Sequence, residues 1–468
     1  MQLGDVLDDL TLDVATGSLE IDRVESDSRR CEPGTLFFAM PGHATHGRRF
    51  AADAVQRGAV AVVSGETLSL SVPVVVVPTT QLRALLAHAS ATVVGHPEQR
   101  TELVGVTGTN GKTTVTTLVA EIARAVGWNG ASIGTLTHER TTPSPPELWR
   151  SLAALDADHE PGRRSVVALE VSSHALDQGR VDGICFDVAV FTNLGHDHLD
   201  YHHTMEEYFA AKAQLFTPER ARHAVLWCDD PYGERVATTT TIARHRVSRS
   251  DALDVVSSFD GTRFTWRSLP VRTTLVGGYN VDNALLAMTV ASVLGMSDAS
   301  IVAAMEGVHA IAGRFEVVHR GTVSVVVDYA HTPEALARLL NDVRAMVGSG
   351  RIITVFGCGG ERDREKRPAM GAAASAESDF TIVTTDNPRG EAPETIIDEI
   401  MAGVVGGSDV RRVIERREAI EAALRAATPG DVIVIAGKGH ETTQVVGDRV
   451  VPFDDRAVVR EIVKELPC

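Results

Sequence analysis

Leu103-Val104-Gly105-Val106-Thr107-Gly108-Thr109-Asn110-Gly111-Lys112-Thr113-Thr114 is the most informative stretch of this 468-residue chain. A short apolar, β-branched run enters a glycine-bearing loop, and residues 113–126 continue with helical spacing. Strand, loop and helix in that order aim bare backbone N–H groups and a helix N-terminus at one place, which suits phosphate. Gly108, Thr109, Asn110, Gly111, Lys112, Thr113 and Thr114 are therefore candidate phosphate-binding residues. Lys112 would reach the outer phosphates, and the Thr113 hydroxyl would ligate Mg²⁺. The GxxxxGK[ST] spacing departs at one position, where Val106 replaces the first glycine.

Outward from this loop, apolar runs at 166–169, 188–192 and 224–227 alternate with helical segments, as a mostly parallel sheet requires. Upstream, runs at 60–63 and 72–77 with helical stretches at 50–57 and 81–94 make a small α/β unit. Residues 248–273 are polar and β-rich and read as a hairpin, and 283–294 read as a helix stopped by Gly295. Beyond a boundary at 310–313, buried-strand candidates at 323–327, 352–356, 380–384 and 432–436 alternate with helices. The expected fold class is α/β with three domains. These are a small N-terminal α/β domain (1–97), a central P-loop ATPase domain on a mostly parallel sheet (98–312), and a C-terminal Rossmann-like α/β domain (313–468).

The charge balance, 45 basic against 62 acidic side chains for a net −17, argues against nucleic acid as a partner. Five scattered cysteines without a CxxC pair indicate neither a disulfide framework nor a zinc cluster, and fit a reducing cytoplasm. The acidic N-terminus is unlike a secretory signal, and no run is long enough to span a membrane, so no membrane partner is expected. Only five of the basic residues are lysine: Lys112, Lys212, Lys366, Lys438 and Lys464. Where arginine serves almost everywhere else, each lysine is a candidate for chemistry a guanidinium cannot perform.

Two further clusters carry acid or metal chemistry. Glu170, in Leu169-Glu170-Val171-Ser172-Ser173-His174, ends a buried strand, where α/β sheets open their ligand crevice; it reads equally as a Mg²⁺ ligand or an ion-paired core carboxylate. Residues 192–203, TNLGHDHLDYHH, hold four histidines and two aspartates after another strand. They suit metal or proton-transfer work, although clustered loop histidines can also be simply solvated.

Together GTNGKTT, EVSSHAL, FTNLGHDHLDYHHTMEEYFAAKAQLF, GGYNVDNALLA, GRFEVV, VDYAHTPEAL, GCGGERDREKRPAMG, DNPRGE and GKGHE resemble the Mur ligases, specifically their UDP-N-acetylmuramoyl-dipeptide:amino-acid ligase branch. The resemblance runs over nearly the whole chain. It implies ATP-driven amide formation through an acyl phosphate, with two Mg²⁺ ions. The ions would be held by Thr113 with Glu170 and by His198 with Lys212, the latter modified to N6-carboxylysine. Asn283 would contact adenine, and Arg314 and Asp328 would reach phosphate and ribose from the third domain. Ser28 and His43 would contact the uridine diphosphate of UDP-MurNAc-L-Ala-D-Glu, and Thr141, Thr142, Ser172, Gln178 and Arg180 its sugar-peptide. Asp386, Asn387 and Arg389 of the DNPR segment, with Arg362, Gly437 and Glu441, would take the amino acid. An arginine fork can clamp a distal carboxylate, which meso-diaminopimelate has and lysine lacks, so the diaminopimelate-adding type is implied. The alternative is the same chemistry with L-lysine or another amino acid. A monomer is expected. The chain departs from the family pattern at Thr45, Trp149, His196 and Cys228.

Overall fold

The computed structural model describes residues 1–8, 10–42, 46–406 and 409–465. Its three α/β domains each carry one main sheet. The first sheet is wholly parallel, in the order β1 (Arg23–Glu25), β2 (Thr35–Phe38), β3 (Ala59–Ser64), β4 (Val74–Val76). Leu36, Phe38, Ala61 and Val63 pack there on Leu82, Leu85, Leu86 and Ala89 of the helix Leu82–Val93.

The central sheet comprises β5 (Glu102–Thr107), β6 (Asn129–Ile133), β7 (Ser165–Glu170), β8 (Phe186–Phe191), β9 (Ala221–Trp227) and β10 (Ala243–Val247). Its order is β10-β9-β8-β5-β7-β6 and every pair is parallel. Helices cover both faces. Val115, Leu118, Val119 and Ile122 of the helix Lys112–Ala125 pack with Val104 and Val106, while Leu148, Trp149 and Leu152 of the helix Pro145–Asp158 pack with Leu103 and Val167. Burial on both sides is why these strands are unbroken apolar runs. Strand β5 lies between β7 and β8, so the crossovers diverge at its C-terminal end and open a crevice there.

Residues 248–273 are a three-stranded antiparallel meander rather than the expected hairpin: β11 (Leu253–Ser258), β12 (Gly261–Trp266) and β13 (Leu269–Thr273). Its second turn is the pair Arg267 and Ser268, both with positive φ. A two-residue turn normally advertises that conformation with Asn or Gly, so this one carries no sequence signal. The helix expected from residue 283 instead spans Gly278–Val293, starting after Gly277 at φ +93°, and Asn283 falls in its second turn.

The third sheet comprises β14 (Glu316–His319), β15 (Ser324–Asp328), β16 (Ile352–Phe356), β17 (Phe380–Val383), β18 (Asp409–Arg412) and β19 (Val432–Ala436). Its order is β14-β15-β19-β16-β17-β18, with only β14 antiparallel. A hairpin of β20 (Thr443–Val446) and β21 (Arg449–Pro452) projects beyond it. Ion pairs link the domains. Arg30–Glu147 (3.1 Å) and Arg150–Glu25 (2.8 Å) join the first two, and Arg338 pairs with Asp282 across the second and third. The C-terminal ends of β5 and β7 thereby face those of β15, β16, β17 and β19 across one cavity. Among the described residues no helix is long and apolar enough to cross a membrane.

Candidate active site

The loop after β5 is held open by its neighbours. Thr109 N–H donates to Asn193 O (2.9 Å), Asn110 N–H to Asn193 Oδ1 (3.0 Å), and Thr192 Oγ1 donates to Asn110 O (2.5 Å). Gly111 has φ +88°, and a Cβ there would lie 2.5 Å from Asn283 Oδ1, so both conformation and space require glycine. Lys112 begins the following helix and donates to Gly108 O (2.9 Å) and Thr109 O (2.8 Å), folding back over the loop. Burial lowers the Lys112 pKa, opposed by Glu170 and Asp197.

Glu170 ends β7 only 1% exposed, and among the described residues no ion pair holds its carboxylate. Its carboxylate accepts from Thr135 N–H (2.8 Å) and Thr135 Oγ1 (3.2 Å) and lines the cavity. Lys212 is 1% exposed and lies beneath the loop, donating to Gly108 O (2.8 Å) with its ammonium 4.5 Å over the Tyr208 ring. Burial, with the Lys112 charge added, pushes its pKa well below that of an ordinary lysine. His198 adopts φ +56° and meets the His174 ring edge-on at 4.9 Å; burial pulls its pKa down to about 4 against the attraction of Asp197. Thr113, Glu170 and His198 therefore reach the cavity wall, and Lys212 sits one layer below it.

The third domain meets this wall directly. Arg314 donates to Thr113 Oγ1 (3.1 Å) and lies 4.5 Å over the Tyr329 ring. Asp328 accepts from Tyr279 OH (2.8 Å), Phe315 N–H (2.7 Å) and Ala330 N–H (2.7 Å), and burial raises its pKa. Both line a second cavity with Asn110, Gly111, Thr114 and Asn283, which runs from the loop after β5 to the residue expected to contact adenine.

Arg362, Asp386, Asn387, Arg389, Gly437 and Glu441 all line the first cavity. Glu441 is already partnered, by Lys438 Nζ (2.8 Å) and Asn387 Nδ2 (2.8 Å), and Arg389 donates to Gly360 O (2.7 Å). Thr141 is also on the wall, while Thr142, Ser172, Gln178 and Arg180 form a bonded bank beside it. Thr142 Oγ1 donates to Glu170 O (2.7 Å), and Arg180 donates to Thr142 O (2.9 Å) and Gln178 Oε1 (2.6 Å). Ser28 lines a separate cleft at the first domain with Asp27, Arg29, Phe50 and Asp53, reached from the second by Arg140 and Glu147. His43 lies outside the described residues, as does Thr45. The cavity also contains Thr135, Asp197, Tyr329 and His331, which the sequence reading did not single out as site residues. Asp197 and His331 stood inside motifs already in view, whereas Thr135 was in none.

Three family models match in sequence: a Mur ligase family catalytic domain over residues 20–109, a Mur ligase middle domain over 106–291 and a Mur ligase glutamate ligase domain over 313–439. The UDP-N-acetylmuramoyl-L-alanyl-D-glutamate--2,6-diaminopimelate ligase of Solibacter usitatus is 42% identical, over 99% of this chain and 98% of its own. The protein of the same name from Geobacillus thermodenitrificans is 43% identical over 96% of each. A solved 2,6-diaminopimelate ligase of that name is 31% identical with a TM-score of 0.69, covering 99% of both chains. The MurF ligase of Thermotoga maritima in complex with ADP shares the fold at 19% identity, with a TM-score of 0.64 over 95% of this chain and 96% of its own. Matched over nearly its whole length by these relatives and by the three family models in turn, the chain belongs to the Mur ligase family.

Proposed function

We propose that this chain is an ATP-dependent amide-forming ligase adding meso-2,6-diaminopimelate to the D-Glu carboxylate of UDP-MurNAc-L-Ala-D-Glu, in the synthesis of peptidoglycan precursors. One observation carries the reading: Lys112, Thr113, Glu170 and His198 share a cavity with Asn387, Arg389 and Glu441 of the third domain. Their shared cavity supports a phosphate site and a site for a zwitterion that open on one another. The relatives' names supply the substrates. We divide the chain at 97/98 and 312/313 into UDP-binding, ATP-binding and amino-acid-binding domains, in support of which the matches change near residues 106–109 and 291–313.

The chemistry has two steps. An oxygen of the substrate carboxylate bonds to the γ-phosphorus of ATP as the bond to the β,γ-bridging oxygen breaks, its electrons passing to ADP. The amine of diaminopimelate then adds to the acyl carbon, the tetrahedral adduct expels phosphate, and the nitrogen loses a proton. Lys112 and the N–H groups at the start of its helix bind the phosphates, and Arg314 brings a third-domain cation to Thr113. Asn283 and Asp328 hold adenosine.

The donor set fits Mg²⁺: a threonine hydroxyl, a carboxylate held by Thr135, and an imidazole kept neutral by burial. Among the described residues no three His, Cys, Asp or Glu side chains form a preassembled site, which suits ions shared with nucleotide phosphates. Thr113 with Glu170, and His198 with the Lys212 carbamate, would hold two Mg²⁺ ions that offset the charge of phosphates and carboxylate. The depressed pKa of Lys212 supports the carbamate, since a neutral amine is the form that attacks CO₂. The new N–C bond leaves a carboxylate on the nitrogen, which gives up a proton; a guanidinium offers no such nucleophile.

In the third domain the Arg389 fork takes the distal carboxylate, and Glu441, shared with Lys438, takes the distal ammonium. Ser28 and His43 bind the uridine diphosphate, and Thr141, Thr142, Ser172, Gln178 and Arg180 orient the sugar-peptide. The protein works as a cytoplasmic monomer without nucleic-acid or membrane partners, a reading its net charge of −17 and nucleotide-linked substrate support. The test is ADP release by purified protein with ATP, Mg²⁺ and UDP-MurNAc-L-Ala-D-Glu. Diaminopimelate-dependent release with a product heavier by one diaminopimelate less water is expected; a folded protein giving none contradicts the reading, and release with L-lysine alone selects the alternative.

A further inference from the structure

Two lysines line the main cavity, Lys112 and Lys366, and they differ in one respect. The Lys112 ammonium is engaged by two loop carbonyls. Lys366 is half-buried, and among the described residues its ammonium has no hydrogen-bond or ion-pair partner. Its backbone is nonetheless held firmly. Lys366 opens the helix Lys366–Glu377, and the next residue, Arg367, is 0% exposed. Arg367 donates to Glu391 (2.9 Å), Glu399 (2.7 Å) and Gly359 O (3.2 Å). Arg364 pairs with Glu399 on the other side. A free cation on a braced backbone, in a chain that otherwise uses arginine, is suited to an anion that arrives with the substrates.

Its position selects which anion. The Lys366 charge acts on Cys358 of its own domain and, across the cavity, on Asp197 and His331, and Asp197 in turn acts on Lys112 and Lys212. The cations that act most on Asp386 and Glu441 are Arg416 and Lys438 instead. Lys366 thus shares one cavity with Lys112, Thr113 and Glu170, and its charge reaches the phosphate side although it comes from the amino-acid domain.

We propose that Lys366 is a catalytic residue of phosphoryl transfer, its ammonium donating hydrogen bonds to the oxygens of the phosphoryl group as it passes from ATP to the substrate carboxylate. No proton moves in that step: one O–P bond forms, one breaks, and Lys366 balances charge on the group between them. The third domain thereby contributes to the first half of the reaction as well as to binding the amine. This rests on the ligase reading above.

The experiment is single-turnover rapid-quench measurement of ADP formation by the full chain with all three substrates saturating, for the wild type and Lys366→Met, whose side chain keeps the length without the charge. ADP formation is expected to slow by roughly 10²-fold or more. The affinity for a non-hydrolysable ATP analogue, the KM for diaminopimelate and the melting temperature are expected to stay close to wild type. ADP formation within threefold of wild type overturns the proposal. So does a raised KM for diaminopimelate with unchanged single-turnover rate, which places Lys366 in the amino-acid pocket, or a joint loss of melting temperature and nucleotide affinity, which makes it structural. A wild type that forms no ADP sinks the ligase reading itself, and this assignment with it.

Discussion

At Lys212 two effects oppose a positive charge: burial, and the neighbouring Lys112. Both favour the neutral amine, and its place beneath Gly108 would put a carbamate next to the loop after β5. Lys212→Ala is expected to cut kcat by at least about 10³-fold, with short carboxylic acids restoring part of it, and Lys212→Arg to be as poor. Wild-type turnover by Lys212→Ala would contradict the assignment. Gly111 makes a second residue-scale prediction. Gly111→Ala strains the backbone and drives a methyl against Asn283, so affinity for ATP should fall by at least about tenfold, read by titration calorimetry with a non-hydrolysable analogue.

Strands β16 and β19 are tied at their N-terminal ends by Asp431, which is 3% exposed. It accepts from Arg351 N–H (2.9 Å), Arg351 Nη2 (2.7 Å), Thr428 N–H (2.8 Å) and Thr428 Oγ1 (3.0 Å). Burial pushes its pKa up, but these donors outweigh that and hold it at about 2, below the ordinary 3.8. A depressed carboxylate stabilises the fold fully above its unfolded pKa, so this contribution is present above about pH 4 and lost as pH falls towards 2. Asp431→Asn should lower stability by about 2 kcal/mol at pH 7 and flatten the acid limb of a stability–pH curve; an unchanged limb would contradict this. The same sheet shows what the sequence discloses. Strands β15, β16, β17 and β19 are legible because burial on both faces makes each a continuous apolar run. Edge strands β14 (EVVH) and β18 (DVRR) and the exposed hairpin β20–β21 lack that signature. Site residues within contiguous motifs, such as 108–114 and 386–389, are legible for a similar reason: one short segment carries their chemistry. Thr135, which orients Glu170 from 35 residues away, is visible only in the fold.

On the scale of the whole molecule, Arg314 and Thr113 are 201 residues apart in sequence and in contact across two domains. On the proposed function, that bond joins the ATP-binding and amino-acid-binding domains at the cavity where reaction would occur. Arg314→Ala should lower kcat by about 10²-fold and weaken the contraction expected in small-angle scattering when an ATP analogue binds. An unaltered contraction with wild-type kcat would contradict the coupling. On the proposed function, the third domain selects an amino acid with a distal carboxylate and joins it to an ATP-activated carboxylate. The decisive measurement is kcat/KM for meso-diaminopimelate against L-lysine, in wild type and in Arg389→Met. A wild-type preference of at least about 10²-fold that largely collapses in the variant is the result expected, since a fork built for a carboxylate is left unpaired by lysine. Equal rates with the two amino acids, or a preference untouched by Arg389→Met, would contradict it.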